Sequence, residues 1–247
     1  MMMMMAMPAP QWVTVVAWIV TILGGMVAGV MLADMYLGGY RQPLRAMEAV
    51  WPVTAIYAGP AAWWAYLRWG RSATSRWQNQ HGRAPQMGRA AMAAVQTLPG
   101  GAASFVGHMI AMPLVMWTGW TIGGQGVWPM MLLIAVFALP LLIAFEYHAL
   151  ASAGRITSAA RRWWMASRIS ILAIAAFDVG MGAAMLVVAF VLRYSPDSMA
   201  FWLVMWAGMW LGFATAYPMV RWLLPKDTTD TASPQAAAPH PQVQTAG

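Results

Sequence analysis

Six apolar runs dominate the sequence, each about as long as a bilayer is thick: residues 12–32, 50–69, 91–117, 127–149, 169–192 and 201–224. A helix needs about 20 mostly apolar residues to cross the hydrocarbon core. Backbone in lipid has no water to bond with, so it must satisfy its own N–H and C=O groups. The runs therefore predict an all-α fold: a polytopic membrane helix bundle of about six transmembrane helices. Composition excludes the soluble alternative. Apolar residues make up 61% of the chain and charged residues 9%, whereas a soluble domain carries about 25% charged residues. The lipid bilayer is the first partner of such a chain.

Charge then sets orientation. A net charge of +7 could suit nucleic acid, but 13 of the 14 basic side chains are arginines and nearly all flank apolar runs. That is the mark of membrane orientation and excludes a nucleic-acid stripe. Arg41 and Arg45 follow the first run, while Arg71, Arg76, Arg83 and Arg89 follow the second, with Arg68 at its edge. Residues 118–126 carry no charge, Arg155, Arg161, Arg162 and Arg168 follow the fourth run, and Arg193 stands against Asp197 after the fifth. Arginine is densest in every second connection, so the positive-inside rule puts both termini in the cytoplasm. Residues 1–226 read as one integral membrane domain and 227–247, rich in Pro, Ala, Thr and Gln, as a disordered cytoplasmic tail. The opening methionines leave the start codon open, and the first run is longer than a signal-peptide core, so it is expected to be retained. The chain has no cysteine, which excludes disulfides and thiolate metal sites.

Small and kinking residues indicate how the helices pack. Gly25/Gly29 and Gly208/Gly212 form small-xxx-small pairs, which permit close backbone approach in lipid; glycine is also simply common in membrane helices. Pro60, Pro113, Pro140 and Pro218 lie inside runs and predict kinks. Pro99, Gly100 and Gly101 predict an interruption of the third run.

Three strings carry a resemblance. Residues 50–71 read VWPVTAIYAGPAAWWAYLRWGR, residues 176–185 read AFDVGMGAAM, and residues 196–224 read PDSMAFWLVMWAGMWLGFATAYPMVRWLL. Together, over about 48–224, they resemble an uncharacterised bacterial membrane family, domain of unknown function 4396. The resemblance implies a multi-pass protein of the bacterial inner membrane and supplies no activity. Members of that family typically carry His-Cys-Gly-Ala-Gly-Cys-x-x-Gly-Asp in the third span, a string suited to a soft metal. This chain reads PGGAASFVGH there. Pro99 replaces the histidine, Gly100 and Ser104 the two cysteines, and His108 the aspartate, while Gly107 is kept. A function resting on those thiols is lost here or has moved to other ligands.

Ionisable groups inside a membrane are costly and point to function. Those within or beside the runs are Glu48, His108, Glu146, His148 and Asp178, with Asp34 at the end of the first. Counting from the starts of the apolar runs puts Glu146 and Asp178 at similar depth, where they would share a proton or a cation. The candidate ion pathway is therefore Asp178, Glu146, His108 and His148. The alternative is that each group is neutral or hydrogen-bonded and only fixes packing. Methionine offers a second constellation, with pairs four residues apart at Met31/Met35, Met112/Met116, Met181/Met185 and Met205/Met209. Side chains at that spacing share a helix face. His108, Met112 and Met116 make one stripe whose imidazole and thioethers suit Cu(I), so copper is the one cofactor the sequence suggests. Flexible apolar filler is the plainer account of the methionines.

No phosphate loop, zinc-protease motif or nucleophilic triad is recognisable, which makes a membrane enzyme the weakest class. Two readings remain. One is a protein handling a small solute or metal ion between the third, fourth and fifth spans. The other is a non-catalytic accessory subunit, packed against other membrane subunits or against itself.

Overall fold

The computed structural model describes residues 8–154 and 156–224. The first seven residues, Arg155 and the tail from residue 225, whose composition predicts disorder, lie outside the described residues. Among the described residues the helices in chain order are α1 (Gln11–Tyr36), α2 (Met47–Ala58), α3 (Pro60–Ala65), α4 (Ser75–His81), α5 (Arg89–Thr118), α6 (Val127–Ser152), α7 (Ala159–Leu186) and α8 (Met199–Leu223). The π-helical turns Tyr66–Gly70 and Val187–Leu192 extend α3 and α7. No strand is present among these residues, beyond a lone bridge between Ile122 and Gln125. Five helices, α1, α5, α6, α7 and α8, are long and apolar enough to cross a membrane. The chain is an all-helical, multi-pass membrane protein.

Helix α5 sits at the centre and shows why small residues matter in lipid. Its residues Gly100, Gly101, Ala102, Ala103 and Ser104 are all buried. A Cβ on Gly107 would come 2.7 Å from the Ile134 carbonyl oxygen, so glycine lets α6 lie against α5. The same device joins α7 to α8: a Cβ on Gly212 would meet the Phe177 ring at 2.6 Å, and one on Gly180 would meet the Gly212 nitrogen at 2.7 Å. Without a hydrophobic force between helices in lipid, this close contact supplies the association energy. The expected break at Pro99–Gly101 does not occur, and α5 runs unbroken through it. Burial on every side outweighs the weak helix propensity of these residues.

The second apolar run is embedded differently from a simple crossing. Helix α2 ends at Ala58, Gly59 turns the chain at φ 52° and ψ −129°, and Pro60 starts α3. A proline has no N–H, so the carbonyl of Ile56 loses its helical partner four residues on. That carbonyl lies against Gly24 of α1, where a Cβ would come 2.8 Å from the Ile56 carbonyl carbon and closer to its oxygen. Beyond the turn the chain returns. The Trp51 and Tyr66 rings have centroids 5.7 Å apart, whereas a straight helix would separate those residues by about 22 Å. The run is a re-entrant hairpin, with its tip near the middle of α1 and both feet at the end of α1.

Those feet are tied down by polar contacts. At one, the Arg41 guanidinium donates to Glu48 at 2.7 and 2.8 Å, while the Tyr36 hydroxyl and the Gln42 N–H each donate to it at 3.2 Å. The Arg41 guanidinium, aided by these donors, holds the Glu48 carboxyl below the usual carboxylate range against the opposing effect of burial. At the other foot the Tyr66 hydroxyl donates to Asp34 at 2.7 Å and Arg71 donates to it at 3.1 Å. Six embedded segments are present, as the apolar runs imply, but this one enters and leaves on the same face. With the hairpin turning back and five helices long enough to cross, the start of α1 and the end of α8 lie at opposite ends of the bundle. The arginines that follow both the first and the second run come to lie on one side.

Glycine placement also differs in part from the sequence pairs. Gly208 packs on Met181 and Ala184, and Gly212 on Phe177, but nothing lies within 4 Å of a Cβ at Gly25 or Gly29. On α1 it is Gly24 that makes the close approach.

Candidate functional site

Where α5, α6 and α7 meet, close packing at Gly107 sets His108 beside Ile134. His108 is 6% exposed, and its Nδ1 lies 2.8 Å from the carbonyl oxygen of Ser104, one turn back. A carbonyl only accepts, so Nδ1 carries the hydrogen and donates, and the lone pair is left on Nε2. That Nε2 is buried with no partner. The His108 side chain forms part of the wall of a cavity of about 20 Å³, together with Met131, Ile134, Asp178, Met181, Gly182 and Met185. A void of 10–15 Å³ already holds one water, so this one has room for a single water-sized ligand.

Each wall has a local cause. Asp178, Met181, Gly182 and Met185 fall at helical spacing on one face of α7. Gly182 has no side chain, and a Cβ there would come 2.9 Å from the Met131 Cε, so glycine lets Met131 reach over from α6. Met181 and Met185 are 2% and 4% exposed and belong to the main core. The result is one imidazole, one half-buried carboxyl group and three methionine side chains around one small space. No group of three or more His, Cys, Asp or Glu residues able to hold a metal occurs among the described residues, so any metal here would need the thioethers.

The structure distributes the residues singled out from sequence as follows. His108 and Asp178 come to the same cavity. Glu146 does not: it is half-buried on α6, twelve residues beyond Ile134, where the neighbouring Tyr147 ring lies 6.1 Å from Trp163 near the start of α7. Helix α7 begins ten residues before its apolar run, so depth counted from that run placed Asp178 too near Glu146. His148 is exposed beside it. Met112 is buried in the core one turn beyond His108, and Met116 is 52% exposed; neither lines the cavity. The thioethers that do are Met131, Met181 and Met185. The Met181/Met185 pair is visible in the sequence, whereas nothing in the sequence marks Met131. Ser104, at the position of a family cysteine, is fully buried and its hydroxyl has no partner.

Crossing helices, a hairpin held at half depth and a small polar cavity between three spans define a multi-pass α-helical membrane protein. The chain belongs to the family described as Domain of unknown function (DUF4396), whose model matches residues 90–228, more than half of the chain. The matched stretch contains the whole cavity; α1 and the hairpin precede it. No curated protein and no solved structure matches the chain.

Proposed function

We propose that this protein binds and passes a small cation within a bacterial inner membrane, and that Cu(I) is the ion its donors suit. The observation that carries this reading is the buried, unpartnered Nε2 of His108, a residue that walls one small cavity together with Asp178 and three methionines. A backbone carbonyl fixing Nδ1–H is how proteins orient a histidine for metal binding through its other nitrogen. Imidazole and thioether donors select Cu(I) over harder ions. A bound monovalent cation would also balance the Asp178 carboxylate, which is costly to hold as a lone charge in lipid. Because thioethers carry no charge, binding should be reversible, as passage requires.

Anaerobic titration of the purified protein with Cu(I) against a competing chelator tests this. One equivalent should bind, and His108→Ala or Met181→Leu/Met185→Leu should abolish it. Met112→Leu/Met116→Leu should bind as the parent does. Proteoliposome flux of Cu(I) and H⁺ with Asp178→Asn tests passage. Parent-like Cu(I) binding by His108→Ala would sink the reading, as would flux no greater than that of empty liposomes.

A further inference from the structure

A second, larger cavity of about 240 Å³ lies away from His108, between the hairpin, α5 and α8. Its walls are small or ring-bearing: Ala58, Ala61 and Ala65 of the hairpin, Ala94 and Leu98 of α5, and Phe213 of α8. Thr54 and Tyr57 also border it, but the Tyr57 hydroxyl points to Gly101, at 2.6 Å from where a Cβ would stand, so the space itself is hydrocarbon. Trp64 and Trp210, at 60% and 46% exposure, stand at its open side, where the surroundings of an embedded helix are lipid. From Ala58 at the tip to Trp69 at the foot the slot follows eleven residues, about 16 Å of helix. That is half of a hydrocarbon core roughly 30 Å thick. The slot is therefore one leaflet deep, and it opens towards the arginine-rich face.

Charge settles which end of an amphiphile belongs there. Trp69 lines the foot of the slot, and Arg68, its neighbour in the chain, is exposed at that same end of the returning arm. Arg68 is exposed and makes no ion pair among the described residues. We infer that the slot holds one acyl chain of an anionic phospholipid from the arginine-bearing leaflet, with its phosphate on Arg68. A polar ring or a solvated ion has nothing to bond with inside this space. A hydrocarbon chain entering from the foot matches its length, its lining and its charge.

Native mass spectrometry of the purified full chain, after delipidation and stepwise addition of phosphatidylglycerol or phosphatidylcholine with matched chains, tests the inference. The parent should retain one phosphatidylglycerol about fivefold more tightly than phosphatidylcholine, the factor that one basic side chain contributes at an anionic surface. Arg68→Gln should bind both lipids equally. Ala61→Leu/Ala65→Leu should retain neither. If that double variant fails to fold, Ala94→Leu fills the slot from the opposite wall and should give the same loss. A folded filled variant that retains phosphatidylglycerol as the parent does overturns the inference, and so does a parent with no preference between the two lipids. Cu(I) binding at His108 is read separately and is unaffected by either result.

Discussion

Adding a single methyl at Gly24 or at Gly25 should give opposite results, although the two residues are adjacent. At Gly24 a Cβ would sit 2.8 Å from the Ile56 carbonyl carbon and 3.0 Å from the Ala55 oxygen, and at Gly25 it would meet nothing within 4 Å. Ordinary contact begins near 3.4 Å, and the obstacle at Gly24 is backbone, which cannot rotate aside. The hairpin tip must therefore move off α1 by roughly 1 Å, a gap that forfeits a quarter to a half of each dispersion contact along the seam. Overpacking a tight interface costs about 1–3 kcal/mol, and a backbone obstacle places Gly24→Ala in the upper half of that range. In a mild detergent, followed by intrinsic fluorescence on heating, Gly24→Ala should lower the unfolding midpoint by roughly 5–10 °C. Gly25→Ala should leave it within about 2 °C, since a surface change of this kind is worth at most a few tenths of a kcal/mol. Equal shifts for the two variants would refute the hairpin packing described above.

The absence of native cysteine makes sidedness directly readable by single-cysteine labelling in intact vesicles. Pro10→Cys and Gly123→Cys should react with an impermeant reagent from one side, and Gln78→Cys only from the other; matching labelling of positions 10 and 78 would contradict the fold-back. Glu48 has a depressed folded-state pKa, so its contribution to stability is complete above the unfolded value of about 4.3 and is lost as pH falls through the lower folded value. Thermal midpoints measured from pH 7 down to 3 should show that loss in the parent, and Glu48→Gln should start lower and lack this component. Gly182→Ala pushes only the flexible Met131 Cε, 2.9 Å from the new methyl. It should keep the parent's unfolding midpoint while weakening Cu(I) binding several-fold by chelator competition; unchanged affinity would remove Met131 from the donor set.

Much of the fold is legible because lipid demands long apolar helices, and the five crossing helices coincide with apolar runs to within a few residues except at the start of α7. That start escapes because its first turns carry Arg161, Arg162 and Arg168 in the headgroup region, where an apolar window fails although the helix continues. The hairpin escapes hydropathy for a different reason: twenty apolar residues look the same whether they cross or turn back. Two local signals do mark it, Gly59–Pro60 at the middle of the run and arginines beyond both of its ends. The glycines of α5 mislead in the other direction, since weak propensity reads as a break where tight burial makes a continuous helix. In the cavity, His108 and Asp178 are visible as costly groups in lipid, but their meeting depends on helix register, and Met131 reaches them only across Gly182.

The hairpin also constrains how the protein is made. A segment that enters and leaves on one face offers the insertion machinery no crossing to stabilise, and its twelve-residue first arm, α2, is too short to span by itself. The Ile56 carbonyl, freed by Pro60, lies against Gly24 of α1, and the Tyr57 hydroxyl lies against Gly101 on a helix synthesised later. The hairpin is thus moored at its feet by Arg41–Glu48 and Asp34–Arg71, and its tip is held between α1, which precedes it in the chain, and α5, which follows it.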